Sequence, residues 1–324
     1  MKRRAFVFSL AGALAAPLVS FAQQTQARVA RIGFLGLPTA AVWASKIEAL
    51  RAGLRDLGYV EGKNLVIEFR WAEGKYERLP GLAAELVRLN VDVIVTHAIG
   101  TRVAKQATTT IPIVIAATGD AVASGYVASL ARPGGNVTGS TFLVPQLAAK
   151  RLELLKEAVP RARRIAILHK SDSLNPAVID VMRVAAKSVK VELQQFGVRG
   201  TGELESAFAA MAKGRLDAVV IIEDPMLVGN AGAIVDAAAK RRIPVIGFLE
   251  FGEAGGMMAY GASIVEMHRR AATFIDKILK GAKPADLPVE QATRFELVVN
   301  RKTATALGIK IPPAILVRAD KVIE

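Results

Sequence analysis

The strongest constraint on this chain is a repeat of its own strand–helix rhythm. From about residue 30, short β-branched runs alternate with helical stretches, and the same order then recurs. Residues 31–35 (RIGFL) are echoed by 164–168 (RIAIL), and 65–69 by 191–196. Residues 91–95 (VDVIV) are echoed by 216–220 (LDAVV), and 111–114 (IPIV) by 243–246 (IPVI). The four offsets all lie between 125 and 133 residues, which points to two lobes of one plan in tandem. Within each lobe, apolar runs short enough for buried strands are separated by amphipathic stretches. Ile47, Leu50, Leu54 and Leu57, stopped by Gly58, form one such stripe; Leu79, Leu82, Leu86 and Leu89 form another. That pattern predicts an α/β protein with a parallel sheet in each lobe and helices on both faces. A chain of 324 residues has room for two such cores.

The echoed residues predict shared local roles. Proline lacks a donor and suits the first position of a strand, so both Ile-Pro pairs are expected to open one. Asp92 and Asp217 stand just before buried runs and read as turn or cap residues. The turn-rich 132–136 (RPGGN) is followed by 137–140, expected as the edge strand leading into the second lobe. A helix is expected over 101–108. A long helix over 265–279, closed by Gly281, is expected to return to the first lobe, and 295–299 to add a strand. The expected lobes are therefore 28–139 with about 264–290, and 140–263 with about 291–324. Several crossings between them make a hinge.

The N-terminus reads as an address. Lys2, Arg3 and Arg4 precede an apolar run at 5–19, and Ser20-Phe21-Ala22 places small residues at a cleavage site, so 1–22 is expected to be a signal peptide. Arg3-Arg4 also fits a twin-arginine signal loosely. Export implies a periplasmic location. The absence of cysteine excludes disulfides, thiolate catalysis, cysteine-held metals and a lipid-anchored N-terminus. The net charge of +14 falls to +11 without Lys2, Arg3 and Arg4. Lysine and arginine are spread along the chain, which describes a solvated basic surface and no nucleic-acid partner.

In open parallel sheets, ligands bind beyond the carboxyl ends of the strands, where helix N-termini present free N–H groups. In the first lobe those loops contain Thr39, Thr96, His97, Gly100, Thr101 and Asp120. In the second they contain Ser173, Asn175, Glu223, Asp224, Phe248 and Glu250. These are the candidate ligand-binding residues, suited to orienting a small molecule in a cleft. Thr39, Thr101, Ser173 and Asn175 equally suit helix N-caps. Asp120 suits either a ligand ammonium group or a cap. Trp43, Phe248, Phe251 and Tyr260 suit either stacking on a planar ligand or core packing.

Three blocks carry a resemblance: 54–65 (LRDLGYVEGKNL) with 70–74 (RWAEG), 129–139 (SLARPGGNVTG), and 150–157 (KRLELLKE). They resemble a family of bacterial ABC-transporter substrate-binding proteins, with similarity from about residue 31 to the C-terminus. The resemblance implies the type I periplasmic-binding fold, two Rossmann-like lobes with the ligand between them. It also implies a monomer that captures a small-molecule solute by closure and delivers it to an ABC permease in the inner membrane. Relatives include binders of aromatic amino acids. By this likeness Asp120 holds an amino group, and Thr96, Gly100 and Thr101 hold a carboxylate. His97, Ala98, Ile99 and Arg102 depart from the family pattern, and Ala121 replaces a frequent proline, which leaves an acidic solute open.

No catalytic, metal or cofactor site is expected. The three histidines, His97, His169 and His268, have no zinc-helix spacing. No nucleophile elbow or phosphate loop is present. His97 and His169 are expected beside the cleft. The alternatives to transport are a ligand-sensing module for a membrane receptor and, against the motif pattern, a hydrolase on the same lobes.

Overall fold

A computed structural model describes residues 29–172 and 174–324. The expected signal peptide at 1–22 and the candidate Ser173 lie outside the described residues. The first unit runs β1 (Ala30–Gly36), α1 (Ala44–Asp56), β2 (Leu65–Trp71), α2 (Leu79–Arg88), β3 (Val93–His97), α3 (Ile99–Ala107), β4 (Ile113–Ala117) and β5 (Val137–Thr141). The second runs α4 (Val144–Ala158), β6 (Arg164–Lys170), α5 (Pro176–Val189), β7 (Glu192–Val198), α6 (Leu204–Lys213), β8 (Ala218–Ile221), α7 (Pro225–Gly229), α8 (Ala231–Lys240), β9 (Val245–Gly247), α9 (Leu249–Glu253) and β10 (Met258–Ala262). The closing segment is α10 (Ile264–Leu279), β11 (Glu290–Gln291), β12 (Phe295–Asn300), α11 (Arg301–Ala306), α12 (Pro313–Arg318) and β13 (Lys321–Ile323).

Two sheets result, ordered β11-β5-β4-β3-β1-β2 and β13-β12-β10-β9-β8-β6-β7. Their five main strands share one doubly wound order, 2-1-3-4-5, all parallel; only β12 on β10 is antiparallel. The repeat in the sequence is thus a repeat of topology. β3, β4, β5 and β8 are buried at every position, as strands covered on both faces must be. Each sheet has one apolar cluster on each face. A fifth, smaller cluster of Ala117, Phe142, Leu147, Ala262 and Met267 sits where the lobes join.

The echoed residues repeat their bonds. Asp92 Oδ2 accepts from the Arg31 amide, and Asp217 Oδ2 accepts from the Arg163 and Arg164 amides, so each aspartate fixes the start of its lobe's first strand. Pro112 and Pro244 stand one residue before β4 and β9, and their carbonyls accept from Ile94 and Val219, each at 2.9 Å. The chain passes between sheets after β5, after β10 and between β11 and β12. α10 packs on α1 and on β4. Two expectations shift: α3 begins at Ile99, which brings Gly100 and Thr101 into its first turn, and β5 is covered at the edge by the two-residue β11.

Candidate functional site

In a 2-1-3-4-5 sheet the connections leave in opposite directions on either side of the first strand, which opens a crevice at the carboxyl ends of the first and third strands. In the first lobe this crevice lies beyond β1 and β3. Trp43, just before α1, stacks on His97 at the end of β3, with ring centroids 4.0 Å apart and an interplanar angle of 22°. His268 of α10 meets the same indole edge-on at 4.9 Å. Burial, then the charges of His268 and Lys46, hold the His97 imidazole down to about 3. Burial also lowers His268 to about 4, against the upward pull of its bond to the Ile264 carbonyl.

The β3–α3 turn is strained. The register with β4 shifts between Thr96 and His97, and Ala98 holds φ 42° and ψ −122°, a region that costs a non-glycine residue on the order of 1–3 kcal/mol. The distortion lets α3 start immediately after the strand. Gly100 is required there, because a Cβ would stand 2.2 Å from Thr96 Oγ1, which donates to the Leu35 carbonyl at 2.9 Å. Beyond β4, Asp120 Oδ1 accepts from the Val122 and Ala123 amides. Thr141 Oγ1 donates to the Thr118 carbonyl and accepts from the Ala121 amide, both at 3.2 Å, so this loop is tied to the first crossover.

In the second lobe, Glu223 and Asp224 follow β8. Asp224 caps α7 by accepting from Met226, and Asn175 caps α5 by accepting from Ala177. Glu223 Oε1 lies 3.1 Å from Nη2 of Arg151, a fully buried residue of α4. Burial raises the Glu223 carboxyl, Arg151 opposes the rise, and Glu250 adds to it. Glu250 in turn reaches across to the first lobe, where Lys46 Nζ of α1 lies 3.1 Å from its Oε1. The Lys46 side chain is 9% exposed and Glu250 21%. Tyr76, beyond β2, marks a second approach of the lobes: burial, then the charges of Asp224 and Asp172, push its phenol up to about 12.

Among the described residues, five buried side-chain atoms make no hydrogen bond in the protein: His97 Nδ1, Thr101 Oγ1, His268 Nε2, Glu223 Oε2 and Arg151 Nη2, the last held in its ion pair with Glu223 Oε1. His97, Thr101 and Glu223 follow strand ends, while His268 and Arg151 lie on helices packed beside them. Buried polar atoms are otherwise almost always satisfied.

The profile of the family of ABC transporter substrate binding proteins matches residues 42–323. The chain belongs to that family. This substrate-binding protein is 28% identical over 262 residues to the tyrosine-binding protein of Clostridioides difficile (strain R20291), over 79% of this chain and 74% of that one. It resembles an ABC domain from Streptococcus pneumoniae solved in complex with L-Trp, at 27% identity and a TM-score of 0.84, over 91% of this chain and 99% of that one. It also resembles a ligand-free, open substrate-binding protein with adhesive properties from Clostridium difficile, at 25% identity and a TM-score of 0.71, over 91% and 99%. The type I periplasmic-binding expectation therefore holds for fold and family.

Within the substrate-binding protein, the structure brings Thr96, His97, Gly100 and Thr101 together at one strand end, with Asp120 beyond the neighbouring strand. Glu223 and Glu250 come together on the other lobe. Thr39 is exposed on the loop after β1. Phe248 is fully buried in the second lobe's core, 6.4 Å edge-on from Phe251. His169 Nδ1 meets the carbonyl of its neighbour Lys170 at the end of β6. Sequence reasoning missed Lys46, Arg151 and His268 as members of the site. Arg151 alone carried a signal, as a charge inside the apolar stripe of 147–159. No helix among the described residues is long and apolar enough to cross a membrane.

Proposed function

We propose that this substrate-binding protein is exported to the periplasm, where it captures an amino acid or a closely similar small molecule as a monomer. It closes its lobes around the guest and delivers it to the permease of an ABC import system in the inner membrane. One observation carries the reading. Lys46 and Glu250 pair across the lobes, and their charges reach His97, His268 and Glu223, each of which carries a buried atom without a hydrogen-bond partner. The tyrosine-binding and L-Trp-bound relatives support the class of guest. The higher TM-score to the L-Trp complex than to the open relative, at nearly equal identity, supports reading this lobe arrangement as closed.

In this reading the first lobe holds the α-carbon groups. The guest's carboxylate meets the N–H groups at the start of α3 and the Thr101 hydroxyl, with the Lys46 charge close by. The carboxylate of Asp120, beyond β4, takes the ammonium group. Contacts that need both lobes exist only in the closed form, so the guest shifts the open–closed balance by its differential affinity. Micromolar binding corresponds to about −8 kcal/mol. At a hundredfold excess over Kd the fold gains about 2.7 kcal/mol. The mature protein is therefore expected to melt several degrees higher with one amino acid or a related few, and its radius of gyration by X-ray scattering is expected to fall with the same compound. Indifference to all amino acids, with a melting shift from another solute class, overturns the amino-acid assignment; turnover of a chromogenic ester or glycoside overturns the binding role.

A further inference from the structure

Glu223 is a carboxylate with one oxygen committed and one free. Arg151 cannot cover both. Its Nε donates to the Tyr260 carbonyl of β10 at 2.6 Å, and its Nη1 donates to the Ile221 carbonyl of β8 at 3.2 Å. Those two strand carbonyls hold the guanidinium in place, with Nη2 3.1 Å from Oε1. Oε2 stays buried without a partner. The next ionised group on this lobe, Glu250, is another carboxylate, already paired with Lys46. The cluster sets two basic side chains, Arg151 and Lys46, beside two carboxyls, Glu223 and Glu250. It offers one desolvated acceptor.

Its position decides what it can accept from. Glu223 lies beyond β8, at the crevice of the second lobe, and is linked to the first lobe through Glu250 and Lys46, whose charge reaches His97 at the end of β3. If the first lobe holds the carboxylate and ammonium of an amino acid, as the functional reading above has it, Glu223 meets the other end of the guest. We propose that Glu223 Oε2 accepts a hydrogen bond from a neutral N–H or O–H at the end of the ligand's side chain, and so selects donor-bearing amino acids over isosteres that lack the donor. A site built around a buried acceptor rejects the donorless analogue, because binding it leaves the acceptor dry and unpaired. Arg151 is the positioning residue that leaves this one oxygen free.

The test compares three matched pairs by calorimetry on the mature protein: tyrosine with phenylalanine, tryptophan with 3-benzothienylalanine, and glutamine with methionine. In wild type, the donor-bearing member of the pair that binds is expected to be tighter by about tenfold or more. Glu223→Gln keeps the shape of the side chain. Arg151 then claims the amide oxygen, and an NH2 donor replaces the free acceptor. In that variant the donor-bearing ligand is expected to lose about tenfold or more, while its isostere changes by less than about threefold. Equal wild-type affinity within each pair, or a preference that survives in Glu223→Gln, overturns the role of Glu223 and leaves the amino-acid reading standing. Failure of every amino acid to bind wild type overturns that reading and the selection by Glu223 together.

Discussion

At the scale of single residues, Gly139 is a position in the 129–139 block that the fold restricts to glycine. It sits inside β5 at φ +132°, and a Cβ there would stand 2.1 Å from the Ile115 carbonyl oxygen of β4. A backbone atom in a fully buried strand cannot give way by that much. Gly139→Ala is expected to cost about 3 kcal/mol or more, combining strained φ/ψ with overpacking, and to lower the urea midpoint with no change in slope. Sequence alone marks this glycine as part of a turn-rich segment; its need for zero side chain comes from β4, more than twenty residues earlier. Asp120, Asn175 and Asp224 illustrate the converse. Their capping bonds run to amides two or three residues ahead, so the capping reading was available from local chemistry.

At the scale of elements, α1 and α9 form the clasp of the cleft. Lys46 lies in the first turn of α1 and Glu250 in the first turn of α9, and the α9 carboxylate is also favoured by that helix's N-terminal partial charge. Because each helix belongs to a different lobe, their pair forms only when the lobes approach. Lys46→Met is expected to shift the balance toward the open form by on the order of 1–2 kcal/mol, since it leaves Glu250 half-buried without its partner. The readout is a larger radius of gyration by X-ray scattering. The charge-swapped double variant, Lys46→Glu with Glu250→Lys, should bring the radius back. A radius unchanged in Lys46→Met would remove the pair from the closing mechanism.

At the scale of the molecule, burial of His97 and His268 around Trp43 couples stability to pH. Both native values, about 3 and about 4, lie below the ordinary 6.5. Above pH 6.5 neither the folded nor the unfolded form binds these protons, and their full contribution is present. As the pH falls below 6.5 the unfolded chain takes them up first, so stability declines until the native values are reached. The slope is at most about 1.4 kcal/mol per pH unit for each histidine. Urea midpoints are therefore expected to fall between pH 7 and pH 5, and the fall should shrink in a His97→Gln, His268→Gln double variant. An equal fall in that variant would assign the acid sensitivity to other groups.

The sequence by itself determined the two-lobed α/β plan, most strand and helix positions and the family. These rest on local signals: hydrophobic period, β-branched runs, proline and glycine stops, and a repeat that needs no coordinates to see. It also named the loops at the carboxyl ends of the strands, because strand ends follow from strand positions. Tertiary structure alone decided which side chains in and behind those loops meet. Lys46, Arg151 and His268 sit within helices that sequence assigns to packing, and each joins the site through a partner far along the chain. The full burial of Phe248 likewise depends on what covers its loop and not on the loop's own residues. Period and propensity act over a few residues; ion pairing, desolvation and the approach of two lobes depend on distances in space, which the order of residues does not state.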